Sequence, residues 1–151
     1  YNKAEHYFKK ALKNCEDDNN EVAVARICSN LTYVYIKTDN TKEATIYLQK
    51  ALKINQKLDN KDGISSGLMG LAKINWMNKN YAEAKKLLVE AIKDEEGQHI
   101  EILDHLGDIH YAMGEKAEAT KVWKDALNFA GTSKREQDKK KEVEKKIEKN
   151  K

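Results

Sequence analysis

The sequence contains no proline and only two cysteines among its 151 residues. Without proline, no residue of the chain is sterically barred from a helix interior, so long helices are possible throughout. Two cysteines are too few for the disulfide framework of a small secreted domain. No apolar run approaches the roughly 20 residues of a membrane span, and no secretory signal is visible. We therefore expect one helical domain without a membrane span, in the cytoplasm.

A strong excess of either charge is also missing. The chain has 28 basic and 25 acidic residues, for a formal net charge of +3, which is too balanced to predict a nucleic-acid partner. The basic excess is local, because residues 134–151 hold nine Lys or Arg against five Asp or Glu. Charged residues make up 35% of the chain, and Lys, Glu, Ala and Leu dominate. This composition is typical of long-helix, all-α proteins.

Four segments of the sequence align without gaps, and each carries two alanines seven positions apart. A large apolar residue follows the first alanine by four positions. This spacing places all three residues on one stripe of a helix, where the alanines let a neighbouring helix approach closely. The alanine pairs are Ala4 and Ala11, Ala44 and Ala51, Ala84 and Ala91, and Ala119 and Ala126, and the large residues are Phe8, Leu48, Leu88 and Trp123.

A second helical pattern precedes three of these segments. It carries two apolar residues three positions apart, followed directly by a small residue, and a short polar break separates it from the alanine segment. The unit is therefore a helical hairpin, and its first alanines recur at intervals of 40, 40 and 35 residues. The apolar pairs are Cys28 and Leu31, Leu68 and Leu71, and Leu103 and Leu106, and the small residues are Thr32, Ala72 and Gly107.

This pattern resembles the tetratricopeptide repeat, a unit of about 34 residues with L-G-x-x-Y and A-x-x-x-F-x-x-A elements. Its best copy runs from Leu103 to Leu127. The tyrosine of the family is present as Tyr35 but replaced by Asn75 and His110. Because the first two periods exceed the usual length by about six residues, we expect longer helices or junctions there.

The resemblance implies an all-α fold: a right-handed α-solenoid of stacked antiparallel hairpins with a charged C-terminal capping helix. The repeat domain is expected at residues 1–131, with the second helix of a truncated repeat at 1–15 and full repeats at about 21–58, 61–95 and 98–130. The cap is expected at residues 132–151, where Val143 and Ile147 form one weak apolar stripe. The helix that begins at Tyr1 lacks its hairpin partner, so we expect upstream residues or another chain to cover it.

Members of this family usually bind ligands along a concave groove that is lined by the first helix of each hairpin. Large apolar side chains predicted off the core stripe suit peptide contact, although they could instead complete the packing. Charge changes from basic to acidic along the groove, which fits a ligand with an acidic and a basic end. The candidate groove residues are Arg26, Asn30, Tyr33, Lys37, Met69, Lys73, Trp76, Met77, Glu101, Asp104, Asp108 and Tyr111.

Some family members grip an acidic peptide carboxylate with lysine, asparagine and arginine side chains, as chaperone co-factors do. The matching positions here carry none of that pattern, and Glu101 would repel such a ligand. We therefore expect no binding of chaperone tails. The matching residues are Ser29, Tyr33, Gly70, Glu101 and His105.

No catalytic, metal or cofactor site is predicted. His105 and Asp108 share a helix face but His110 points elsewhere, and no zinc-type spacing occurs. Cys28 lies on a core stripe and is expected to be a buried structural thiol. Three glycines, Gly63, Gly67 and Gly70, spread through an expected loop and helix start, which is not the arrangement of a phosphate loop.

The sequence therefore favours a scaffold that binds a peptide or partner helix in the groove of the repeat stack. The alternative is a sensory or regulatory segment of a larger signalling protein, which acts through self-association or relay to a missing domain. The sequence does not specify the oligomeric state.

Overall fold

The computed structural model describes residues 1–93 and 99–150, and these residues form eight α-helices and no strand. The all-α fold of helix hairpins predicted from the sequence is confirmed. The predicted repeat boundaries at residues 95 and 98 lie outside the described residues. The helices are α1 (Asn2–Asp17), α2 (Glu21–Lys37), α3 (Thr41–Lys57), α4 (Lys61–Met77), α5 (Tyr81–Ala91), α6 (Ile100–Ala112), α7 (Lys116–Leu127) and α8 (Lys134–Lys149).

The turns after α1, α2, α3, α4 and α6 share one backbone arrangement. After α2, Asp39 adopts a left-handed conformation with φ of 58°, and the Asn40 N–H donates to the Tyr35 carbonyl at 2.9 Å. The Asn40 side chain then accepts from the Glu43 N–H at 3.3 Å and caps α3. One short turn thus satisfies the end of one helix and starts the next. The left-handed residues of the other four turns are Asn19, Asp59, Lys79 and Gly114.

Helix length accounts for the unequal repeat periods. Helices α2, α3 and α4 each contain 17 residues, and three-residue turns join them. Helices α5, α6 and α7 contain only 11, 13 and 12 residues. Of the two expected sources of the longer periods, longer helices or longer junctions, the structure shows longer helices.

The chain divides into two compact units, residues 1–74 and 75–151, with the boundary inside α4. In the first unit α2 packs against both α1 and α3. Its core combines the apolar stripe of α2 with the alanine stripe of α3 and the apolar side of α4. Core residues include Leu12, Val24, Ile27, Cys28, Leu31, Tyr35, Ala44, Leu48, Ala51 and Ile74.

Glycines on α4 allow it to approach α3 closely. A Cβ atom at Gly67 would lie 2.9 Å from Leu52 Cδ1, and one at Gly70 would lie 2.8 Å from Leu48 Cδ2. Gly63, expected in a loop, lies within α4, where a Cβ would be 2.4 Å from the Asn55 side chain. The three glycines therefore form a packing stripe, because real Cβ atoms do not fit at such distances.

The alanine stripe is buried in α3, α5 and α7 and only half-buried in α1. In α1, Ala4, Phe8 and Ala11 are only half-buried. The first alanines of the other stripes are 0% exposed, so a neighbouring helix covers each of them. The expected open face of α1 is therefore present in the structure. The fully buried alanines are Ala44, Ala84 and Ala119.

In the second unit, α6 packs against α5 and α7, and α8 packs against α7 and α6. Val143 and Ile147 are 0% and 7% exposed, so these two residues hold the terminal helix against the unit. The close contact of α6 with α7 is made by Gly107 and Trp123. A Cβ at Gly107 would lie 2.4 Å from Trp123 Cδ1, while Trp123 Nε1 donates to the Asp104 carbonyl at 3.3 Å.

Because the Trp123 ring occupies the space beside Gly107, Gly107→Ala should lower the free energy of unfolding by roughly 1–3 kcal/mol, as overpacking typically does. The first hairpin carries Thr32 and Leu48 at the same two positions, which suggests that a smaller partner relieves the clash. Urea denaturation of the two single variants and the double variant measures this. Trp123→Leu should lower the free energy of unfolding by less in the Gly107→Ala background than in the wild-type background. Equal costs in both backgrounds would show that the two residues do not share a contact.

Candidate interaction surfaces

The first candidate surface is a row of four residues along α2. Arg26, Asn30, Tyr33 and Lys37 follow one another by four, three and four positions, so they share one helix face. All four are exposed, and Tyr33 is 58% exposed. The Lys37 Nζ lies 5.4 Å from the centroid of the Tyr33 ring. The structure thus brings together the four residues that the sequence predicts on this helix, and we call them the α2 row.

The predicted residues of α4 are partly accessible. Lys73 is exposed and Trp76 is 45% exposed, whereas Met69 and Met77 are half-buried. Met69 and Lys73 belong to the first compact unit, and Trp76 and Met77 to the second. Lys73 and Trp76 therefore offer the larger free surfaces, and the two methionines contribute partly to packing.

Tyr111 at the end of α6 is 41% exposed. Its ring lies 5.8 Å from the Trp123 ring and 5.8 Å from the Lys116 Nζ. The side chain is therefore fixed on one side by the second unit, and its other side remains accessible.

The acidic residues of α6 contact the C-terminal helix of the same chain. Asp104, expected in an open groove, is 1% exposed. Its carboxylate accepts from Lys146 Nζ at 2.6 Å and from Lys139 Nζ at 3.2 Å. Asp108 accepts from the same Lys146 ammonium at 2.7 and 2.8 Å. In this arrangement α8, rather than a ligand, neutralises both carboxylates.

Glu101 is engaged in the same way, since Arg135 Nε lies 3.4 Å from its carboxylate. Lys146 Nζ also lies 5.9 Å from the centroid of the Trp123 ring. A cleft of about 690 Å³ opens where α6 meets α8. The sequence did not reveal this cleft, because its walls come from helices distant in the chain. The residues lining it are Glu101, His105, Lys134, Arg135, Asp138, Lys139 and Glu142.

One trio on α6 has potential metal-ligand atoms within 4.8 Å of one another: Asp104, His105 and Asp108. Both carboxylates, however, are already bound to lysine ammonium groups. Burial lowers the pKa of His105, which favours the neutral imidazole. The two carboxylates of this trio therefore form ion pairs with lysines of the same chain.

His110 is 6% exposed and its Nδ1 contacts the Glu115 carboxylate in the following turn. It thus does not join the acidic residues of α6, in agreement with the sequence. Cys28 is 0% exposed, and burial raises the pKa of its thiol. The expected structural role for this cysteine is therefore consistent with its environment.

Tyr35 connects two helices of the first unit. Its hydroxyl donates to Glu5 Oε1 of α1 at 2.8 Å, and its ring stacks on Tyr47 at 5.6 Å. Hydrogen bonds from Lys9 and then from Tyr35 hold the pKa of Glu5 below its usual value. The tyrosine that matches the repeat pattern is therefore a packing residue.

The two lysines of α8 that bind the acidic residues of α6 were not predicted from the sequence. Lys139, Val143, Lys146 and Ile147 follow at spacings of four, three and one, and thus share one face of a helix. The two apolar residues identified this face, but no sequence signal paired the lysines beside them with the acidic face of α6.

Replacing Asp104 should destabilise the second unit. Asp104→Asn keeps the shape but removes the charge that binds Lys139 and Lys146. The free energy of unfolding should fall by about 1–2 kcal/mol, less than the roughly 3–5 kcal/mol of a fully buried pair, because both lysines remain partly solvated. Urea denaturation measures this loss. Asp125→Asn, at an exposed position of α7, is the matched control, and an equal effect of both substitutions would contradict the assignment.

Comparison with known families gives a match to one part of the chain. Residues 25–58, which span most of α2, all of α3 and the turn between them, match the sequence model of the tetratricopeptide repeat. No curated protein sequence matches the chain. Among solved structures, BtubC (BKLC) from P. vanneervenii is similar, with a TM-score of 0.72 and 20% identity over 85% of this chain. The match covers 56% of the BtubC chain, and at this identity it shows the fold alone.

Proposed function

We propose that this helical-repeat chain, which carries a tetratricopeptide repeat at residues 25–58, is a scaffold that binds a peptide or partner helix through the α2 row and the adjoining part of α4. Protein–protein interaction is the general role of tetratricopeptide folds, and the resemblance predicted from the sequence is confirmed. Across the described residues, every helix is too short or too polar to span a bilayer.

The observation that carries the proposal is the exposure of Tyr33 within a polar row. This residue is 58% exposed, although the neighbouring positions Thr32 and Val34 are buried. Tyrosine is enriched in interfaces because it buries a large apolar surface and keeps a hydroxyl for hydrogen bonding. Asn30 adds donor and acceptor groups one turn away. The α2 row therefore has the composition of a recognition surface.

The charge of this surface indicates its ligand. Arg26 and Lys37 flank Tyr33 on α2, and Lys73 is exposed on α4. Ile74 of α4 lies in the same core cluster as the apolar stripe of α2, so one core supports both helices. A segment with acidic residues beside an apolar side chain would match these charges.

A second group of predicted groove residues belongs to the second unit. Trp76 and Tyr111 keep 45% and 41% of their surface exposed, and Met77 is half-buried. We propose that these residues contact partners as well, as large apolar side chains with adaptable packing do. We propose no catalytic role, because the α2 row offers donors and an aromatic ring but no nucleophile beside a base.

Selection of peptides from a displayed random library on the immobilised chain tests the proposal. Enriched peptides should carry acidic residues next to an aromatic or aliphatic one. In fluorescence anisotropy, Tyr33→Ala should weaken their binding by about tenfold or more, because a central aromatic anchor is lost. Lys73→Gln should weaken it several-fold at low salt and less at high salt.

Two substitutions on α3 are matched controls. Ile46 is also 58% exposed and Lys53 is exposed, but neither belongs to the proposed surface. Ile46→Ala and Lys53→Gln should leave the affinity unchanged. Equal losses for Tyr33→Ala and Ile46→Ala, or selection without any enriched peptide, would contradict the proposal.

A further inference from the structure

Few apolar side chains of α8 are buried. Of its 16 residues, Val143 and Ile147 are the buried ones. Ion pairs add to this contact, since Lys146 and Lys139 bind Asp104, Lys146 also binds Asp108, and Arg135 lies beside Glu101. A helix with so small an apolar face opens more easily than the core helices of its unit.

The surface beneath α8 selects for positive charge. Asp104 is 1% exposed when α8 is docked, and a carboxylate excluded from water needs a cation beside it. Asp108 and the face of the Trp123 ring receive the same Lys146 ammonium. An occupant without a cation at this point would therefore leave Asp104 buried and unpaired.

The docked helix also shows which spacing fits. Lysines at positions i and i+7 reach the carboxylates, while aliphatic residues at i+4 and i+8 enter the apolar contact. In α8 these positions are Lys139, Val143, Lys146 and Ile147. The remaining lysines of α8 do not share this role, since Lys141 and Lys145, for example, are exposed.

Helix α8 needs little help to form. Ser133 caps its first turn, and Glu136 completes a capping box with the Ser133 backbone. Ion pairs along the helix, such as Lys139 with Glu142 at 2.8 Å, add local support. Undocking therefore need not unfold the helix, and another helix with the same pattern can take its place.

We propose that the surface formed by Asp104 and Asp108 of α6 and Trp123 of α7 is a docking site for a basic amphipathic helix of a partner protein, and that α8 is its resident occupant. The partner carries lysine or arginine at i and i+7 and aliphatic residues at i+4 and i+8. This site is separate from the α2 row and takes a ligand of opposite charge, so either proposal can fail alone.

A synthetic peptide with the sequence of residues 132–150 serves as the probe for the full chain. Two charge-reversed peptides accompany it: one with Lys139→Glu and Lys146→Glu, the other with Lys141→Glu and Lys145→Glu. Their net charges are identical, so general attraction affects both equally. In fluorescence anisotropy the first should bind about tenfold or more weakly than the unmodified peptide, because it cannot neutralise Asp104. The second should bind like the unmodified peptide.

The resident helix should act as a competitor. A full-length variant with Lys139→Glu and Lys146→Glu loses the ion pairs of its own α8, which frees the surface. It should bind the unmodified peptide about tenfold more tightly than wild type, since a larger fraction of the molecules is competent to bind. Circular dichroism verifies that the variant keeps its helices. Asp104→Asn combined with Asp108→Asn should remove the binding in either background.

Three results would overturn the proposal. The first is equal binding of the two charge-reversed peptides, and the second is no gain in affinity when the resident helix is released. The third is concentration-dependent dimerisation of the wild-type chain that Lys146→Glu abolishes in light scattering. That outcome would assign the surface to α8 of a second copy instead of a partner protein.

Discussion

Close approach of helices at small side chains is the constraint on which this structure depends. Ala44, Ala84 and Ala119 are 0% exposed, because a neighbouring helix lies directly against each of them. On α6 the small residue is Gly107, and the Trp123 ring of α7 fills the space beside it. Dense contact of this kind rewards a matching pair of residues and penalises any extra atom. The hairpins can therefore present polar rows to solvent, since their stability comes from the helix faces that carry the small residues.

The same close packing explains the contrast between the two candidate surfaces. On α2 the face that carries Thr32 is buried, whereas no helix of the first unit covers the α2 row with Tyr33. On α6 the corresponding acidic row contacts α8, so that Asp104 becomes one of the most buried side chains of the second unit. Matching positions in repeats can thus differ in availability, depending on which helix follows. This difference separates the surface that we propose for acidic ligands from the surface that we propose for a basic helix.

The sequence predicted the hairpins well, because alanine pairs seven apart and short polar breaks are local signals with a direct geometric meaning. It also predicted the exposure of Trp76 and Tyr111, which lie off the apolar stripe. The burial of Asp104 was not predictable in this way. Its surroundings are set by Lys139 and Lys146, which lie 35 and 42 positions later in the chain, and no periodicity links the two helices. Gly63 was likewise expected in a loop, whereas it lies inside α4, where close contact with α3 favours a residue without a side chain.

One pair of substitutions in α7 tests the packing constraint most directly. Ala117 is exposed and Ala119 is fully buried, although they are two positions apart in one helix. Urea denaturation should show that Ala119→Leu lowers the free energy of unfolding by roughly 1–3 kcal/mol through overpacking, while Ala117→Leu changes it by less than about 0.5 kcal/mol. Equal effects of the two substitutions would contradict the claim that small residues set the distance between the helices.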